Sequence, residues 1–233
     1  MFDKWMQYSY AAQKHQRHRL LKLILSFIIL YVAYNCLTAF LFSVWVVDNN
    51  TMQNGLSAGD RLIFLSSKIP ALNRELQRGS IVLIDKRGEI SRKQPLRIID
   101  GVVRFFTAQR ISIFSREGQF FIKRVIALPG DEISMTDYVF RVKTSAGAFN
   151  LTEFELSKKP YNPVIPVTSR LWDTSVPFSG SMDPVKLGPD ECFVTSDDRG
   201  STNDSRTWGP VSPSMISAKA VLRFWPLNKI ELF

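Results

Sequence analysis

The sequence predicts a mainly β protein: a single N-terminal transmembrane helix, then a β-rich domain interrupted by a smaller insertion. Three observations carry this. Leu23 to Val47 contains no charged side chain. Beyond it, short runs of β-branched and aromatic residues alternate with Gly, Pro and Asp turn signals. One stretch, about 136–187, is polar and rich in Pro and Ser and breaks that pattern.

The chain has 233 residues and a net charge of +9. As a helix, Leu23–Val47 would extend about 38 Å, against a hydrocarbon core of about 30 Å. A cleaved signal has a shorter apolar region. This run ends in Val44-Trp45-Val46-Val47-Asp48 without a small-x-small site, which favours an anchor. Trp45 stands where an interfacial aromatic is expected. Before the run lie Lys4, Lys14, Arg17, Arg19 and Lys22 against one acid, Asp3; after it no base occurs until Arg61. The positive-inside rule then puts residues 1–22 in the cytoplasm as a basic tail, 23–47 across the membrane and 48–233 outside. In a double-membrane bacterium that is the periplasmic side of the inner membrane. Part of the positive charge is thus a topology signal. Membrane lipid is an expected partner and nucleic acid is not.

Strands are expected at Arg61–Leu65 after the turn Gly59-Asp60, at Ser80–Ile84 after Arg78-Gly79, and at Gln119–Leu128, which closes on Pro129-Gly130-Asp131. Two more are expected, at Glu191–Thr195 after Gly188-Pro189-Asp190 and at Ala218–Phe224. Gln94–Phe114 has helical spacing instead, with Arg97, Arg104 and Arg110 among its apolar residues. It reads equally as a helix packed on the domain or as a basic helix lying on anionic lipid.

The chain has two histidines, His15 and His18, both ahead of the apolar run. An exported domain without His excludes a Ser-His-Asp triad, a His-based zinc site and a Cys-His protease. Cys36 lies inside the apolar run and Cys192 far beyond it, so no disulfide framework is expected. A hydrolase would need another base, and Lys serves once burial lowers its pKa. On a strand, Lys123 shares a face with Phe121, Val125 and Ala127. That setting desolvates its amine, unless the side chain snorkels to solvent. A dense polar cluster, Ser196 to Gly209, offers hydroxyls and a carboxylate–Arg pair to orient such a base, and otherwise reads as a hydrophilic loop. A third cluster, Asn49-Asn50-Thr51-Met52 followed by Gly59-Asp60, sets a hydroxyl just past the membrane; it also reads as a linker or a chance Asn-x-Thr sequon.

In this order behind an anchor, the clusters resemble the bacterial type I signal peptidases, membrane-bound Ser/Lys proteases. That family's motifs run roughly Ser-x-Ser-Met-x-Pro-Thr-Leu-x-x-Gly-Asp, Arg-Gly-Asp-Ile-Val, Lys-Arg-Val-x-x-Leu-Pro-Gly-Asp and Gly-Asp-Asn-x-x-x-Ser-x-Asp-Ser-Arg before Trp-Gly. They fall on Asn49–Asp60, Arg78–Val82, Lys123–Asp131 and Ser196–Gly209. The resemblance implies a signal-peptidase-like catalytic domain with Thr51 as nucleophile and Lys123 as general base. It puts Thr202 in the place of a lysine-orienting Ser, Asp204 and Arg206 as a supporting ion pair, and Met52 beside the nucleophile at the substrate. Asn49 falls on the Ser that helps bind the oxyanion.

Thr51 and Asn49 depart from the motif's two serines, and Asn54-Gly55 replace its Pro-Thr. Thr keeps the hydroxyl but adds a methyl that restricts χ1. Asn can still donate through its amide. The implied activity is removal of signal peptides from exported preproteins, with no cofactor or metal. The rival reading is an inactive homologue that binds or chaperones exported substrates. A basic membrane-anchored adaptor would explain the charge but not the third and fourth motifs. The sequence leaves the oligomeric state open.

Overall fold

The computed structural model describes residues 2–66, 76–86, 120–166 and 180–233. The expected helix at Gln94–Phe114 lies outside these residues. The chain divides into two units, one holding the N-terminal helix and the other both β-sheets.

Helix α1 runs Phe2–Phe40. Leu23, Ile24, Leu25, Phe27, Ile28 and Ile29 along it are all exposed, so the apolar surface wraps the helix instead of forming one stripe. The expected span of Leu23–Val47 is corrected at its C-terminal end. The helix stops at Phe40, and Phe42–Val46 forms strand β1, paired antiparallel with β2, Arg61–Ser66. Among the described residues no helix is long and apolar enough to cross a membrane. The physical reason for the early stop is the composition of Phe-Ser-Val-Trp-Val: β-branched and aromatic residues that gain a ladder partner in β2. Trp45 moves accordingly. It packs on the sheet core with its ring 4.7 Å from that of Phe120.

The larger sheet has seven strands, all antiparallel. Its order is β1, β2, β10 (Ile216–Trp225), β3 (Ile81–Asp85), β4 (Phe120–Ala127) and β9 (Phe193–Thr195), with β11 (Glu231–Leu232) paired to β10. Every strand expected from the sequence in this domain is present, with ends shifted by up to two residues. The four-stranded sheet is ordered β7 (Asn150–Thr152), β6 (Val139–Lys143), β5 (Glu132–Thr136) and β8 (Met182–Lys186). Two short helices follow β7 and β9: α2 at Glu153–Leu156 and α3 at Ser205–Trp208.

Alternation along the strands builds the core. In β2, Leu62 and Phe64 are buried and join Val47, Met52 and Leu56 with Ala218 and Ala220 of β10. The face of β3 and β4 carrying Val82, Ile84 and Val125 packs on Cys192, Val194 and Val211. Ile126 and Ala127 of β4 pack with Ile133, Phe140, Val142 and Phe193, tying the smaller sheet to the end of β4. Strand β4 is therefore apolar on both faces at its C-terminal half, and Lys123 and Arg124 are buried where that half begins.

Gly79 of the second motif and Gly55, which departs from the first, are both explained by space. Gly79 has φ +83°, and a Cβ there would run into the Ser157 side chain. Gly55 is approached so closely that a Cβ would sit 2.9 Å from Asp197 Oδ2.

Candidate active site

Lys123 stands on β4 opposite Val82 of β3, with 1% of its surface exposed. Its Nζ donates to Ser196 Oγ at 2.7 Å, and Ser196 is fully buried. The Trp208 ring lies 5.9 Å from the amine. Burial pulls the Lys123 pKa down to about 8. The Asp204 and Asp197 carboxylates push it up and the Arg206 guanidinium pushes it down, but desolvation dominates.

The loop after β9 is organised around Asp204. This carboxylate caps α3 by accepting from Arg206 N, and its Oδ2 accepts from Ser196 N at 2.9 Å and from Thr195 Oγ1 at 3.1 Å. Arg206 donates from Nε to Asp204 Oδ1 at 2.9 Å and from Nη2 to Oδ2 at 2.8 Å. Burial alone would raise the Asp204 carboxyl; the hydrogen bonds and charge of Arg206, with the Ser196 and Arg206 backbone donors, outweigh it and hold the pKa below the ordinary value. Asp204 is thus an anion at neutral pH, fixed between the backbone of Ser196 and Arg206.

Arg124, next to the lysine but on the other face of β4, forms a two-pronged pair with Asp197: Nε to Oδ1 at 2.7 Å and Nη2 to Oδ2 at 2.5 Å. Its Nη1 donates to Gly79 O at 2.8 Å. Arg78 grips Asp131 in the same fashion, at 2.9 and 2.7 Å, while Asp131 also accepts from the Leu128 and Ser145 N–H groups. The second and third motifs therefore meet through Arg78–Asp131, and the third and fourth through Arg124–Asp197. Deeper still, Arg199 pairs with Glu153 of α2, which also accepts from the Tyr161 hydroxyl.

Thr51 lies in the loop between β1 and β2. The base of that loop is pinned by Asp60, whose Oδ2 accepts from Ser57 N and from Arg223 of β10. Thr51 O accepts from Asp198 N at 2.9 Å, which seats the loop against the segment that begins at Ser196. Met52 is fully buried in the core below it.

The structure places several expected site residues differently from the sequence reading. Thr51 Oγ1 donates to Asn49 Oδ1 at 2.7 Å, and Thr51 N donates to the same oxygen at 3.2 Å. Thr51 and Lys123 are thus not joined by a hydrogen bond. Asn49 accepts here instead of donating towards an oxyanion, because its short side chain closes an Asx turn on the N–H two residues on. Lys123 is bonded to Ser196 and not to Thr202, whose carbonyl accepts from Asp204 N and the Thr207 hydroxyl. Asp204 and Arg206 do form an ion pair, at 2.8 Å. Sequence reasoning included Ser196 and Asp197 in the polar cluster and Arg124 in the third motif but gave none of them an individual role. The signal was present: Arg124 follows Lys123 on a strand, so it points to the opposite face and needs its own buried anion.

An antiparallel β domain that buries a lysine with a lowered pKa against a hydroxyl has the components of lysine-assisted hydroxyl chemistry. Residues 20–225 match the model of the family described as signal peptidase, peptidase S26, and the chain belongs to that family. The chain is 23% identical over 219 residues to signal peptidase I of Bacillus licheniformis, covering 93% of this chain and 95% of that protein. It is 24% identical over 233 residues to signal peptidase I P of Bacillus subtilis subsp. natto, covering 99% and 98%. A probable signal peptidase I-2 of Synechocystis sp. is 26% identical over 189 residues, which is 80% of this chain and 64% of that protein.

Proposed function

We propose that this chain is a membrane-bound endopeptidase that removes signal peptides from exported preproteins, with Thr51 as nucleophile and Lys123 as general base. The observation that carries the reading is Lys123: a fully buried amine with a pKa near 8, facing a polar loop that also seats Thr51 through Asp198. At neutral pH an ordinary lysine is almost entirely charged, whereas one with a pKa near 8 is neutral in about a tenth of the molecules at pH 7. That fraction can accept a proton.

In the proposed reaction the Thr51 hydroxyl turns from Asn49 towards Lys123. Its oxygen attacks the scissile carbonyl as Lys123 takes the proton. The tetrahedral species collapses, the proton passes to the leaving amine and an ester remains on Thr51. Water, deprotonated by the same lysine, releases the signal peptide. The substrate oxygen takes the Thr51 N–H now held by Asn49, and the Asn49 amide rotates to donate to it. Met52, expected at the substrate, is instead buried in the core beneath the Thr51 loop. The residue before the cut is small, as in the A-x-A-like signal. Exposed apolar side chains along α1 support anchorage in the inner membrane, with the N-terminal tail cytoplasmic and the β domain outside.

The Asn49–Thr51 bond favours a second reading, an inactive homologue that binds exported substrates, because it engages the nucleophilic hydroxyl away from the base. Cleavage of a model preprotein by the purified full-length chain separates the two. Cleavage between signal and mature part that is lost in Thr51→Ala supports the peptidase. Binding of the preprotein without cleavage, by correctly folded protein, supports the second reading.

A further inference from the structure

We infer that Ser196, and not Thr202, is the positioning residue that orients the Lys123 amine. The inference rests on the peptidase reading for its catalytic meaning, but not for the geometry that supports it.

A neutral lysine amine has two N–H donors and one lone pair on a freely rotating Cε–Nζ bond. To accept a proton from a hydroxyl, that lone pair must point at it. A hydrogen bond to a fixed acceptor sets the rotation. Among the described residues the hydrogen-bond partner of Lys123 Nζ is Ser196 Oγ, at 2.7 Å.

Ser196 is itself held from several sides. Its N–H donates to Asp204 Oδ2, its carbonyl accepts from the Thr195 hydroxyl, and the residue is fully buried at the end of β9. Asp204 is in turn clamped by both prongs of Arg206 and by the cap of α3. A continuous series thus runs from Arg206 through Asp204 and Ser196 to the amine. Thr202 is outside it: the carbonyl accepts from Asp204 N, while the hydroxyl makes no hydrogen bond among the described residues. The charged groups facing Lys123 are Asp204 and Arg206 from the α3 end and Asp197 from the loop after β9. None of them bonds the amine directly, so a change at Ser196 can be read without removing a charge.

Both forms of the amine can donate to Ser196 Oγ, but the charged ammonium donates more strongly, so the bond favours the ammonium form. Loss of the hydroxyl therefore lowers the Lys123 pKa further while freeing the amine to rotate. These two effects separate positioning from a merely structural role: the rate profile moves to lower pH, yet its plateau falls.

The experiment uses the full-length chain in detergent micelles with lysine labelled at the ε-carbon. The Lys123 signal is assigned by its disappearance in Lys123→Arg and its shift is followed against pH. Ser196→Ala should lower the titration midpoint by about one pH unit, and lower kcat for a model preprotein roughly 10- to 100-fold with KM unchanged. Thr202→Val should leave the titration midpoint at the unmodified value. Ser196→Gly, which keeps the backbone bonds to Asp204, should behave as Ser196→Ala and serves where the alanine variant does not fold. A midpoint that moves in Thr202→Val and stays fixed in both Ser196 variants would overturn the inference. The titration needs no substrate, so failure of the unmodified protein to cleave would defeat the peptidase reading while leaving this readout intact.

Discussion

At the scale of single residues, the chemistry turns on how far burial moves one amine. The folded pKa of Lys123 is about 8, against about 10.4 for an exposed lysine. Between those values the unfolded chain binds more protons than the folded one, so stability rises with pH from about 8 to about 10.4, and the full penalty is present below 8. Lys123→Met, which keeps the stem and removes the charge, should stabilise the protein at pH 7 by roughly 3 kcal/mol. It should also flatten the dependence of the denaturant midpoint on pH between 8 and 10. Both are read from urea unfolding across pH. A variant no more stable than the parent would mean that the amine is not desolvated. The same pKa predicts that cleavage increases with pH through about 8, whereas Lys123→Arg should be inactive across the range, because a guanidinium does not deprotonate. Thr51→Ser retains the hydroxyl and sheds the methyl that restricts χ1, so it should cleave at least as fast as the parent.

At the scale of elements, Arg–carboxylate pairs hold the loops around β3 and β4: Arg78–Asp131 joins the turn before β3 to the turn after β4, and Arg124–Asp197 ties the loop after β9 to β4. Arg124–Asp197 is the central one, since Gly55 of the Thr51 loop also abuts Asp197. Removing one partner leaves the other charged and buried, so Asp197→Ala should cost about 3–5 kcal/mol. Gly55→Ala should cost less, but should displace the Thr51 loop and lower kcat more than it lowers stability. Thermal unfolding beside kinetics separates these. The strands themselves were legible in the sequence, because apolar alternation and Gly-Asp or Pro-Gly turns mark them directly. Lys123 was legible for the same reason, as a charge among apolar neighbours on one strand. Long-range partners were not. Nothing within Ser196–Gly209 says which hydroxyl meets the amine; that depends on how β9 pairs with β4 and how Asp204 caps α3. Nor does local hydrophobicity distinguish the last residues of an anchor from an apolar edge strand. Phe42–Val46 is uncharged in either role, and only pairing with β2 makes it β1.

At the scale of the whole molecule, the proposed topology makes a direct prediction. Protease added outside spheroplasts should digest the β domain beyond Asp48 and spare the basic N-terminal tail. Protection of the β domain until lysis would reverse the orientation and remove preproteins from its reach. The central claim, that a hydroxyl and a buried lysine act as one catalytic unit, is tested most directly by a double-variant cycle on preprotein cleavage. Thr51→Ala, Lys123→Ala and the double variant should each abolish turnover to the same low level, because groups that act as a unit lose their effect together. Full activity in Thr51→Ala, or losses in the two single variants that multiply in the double, would contradict it.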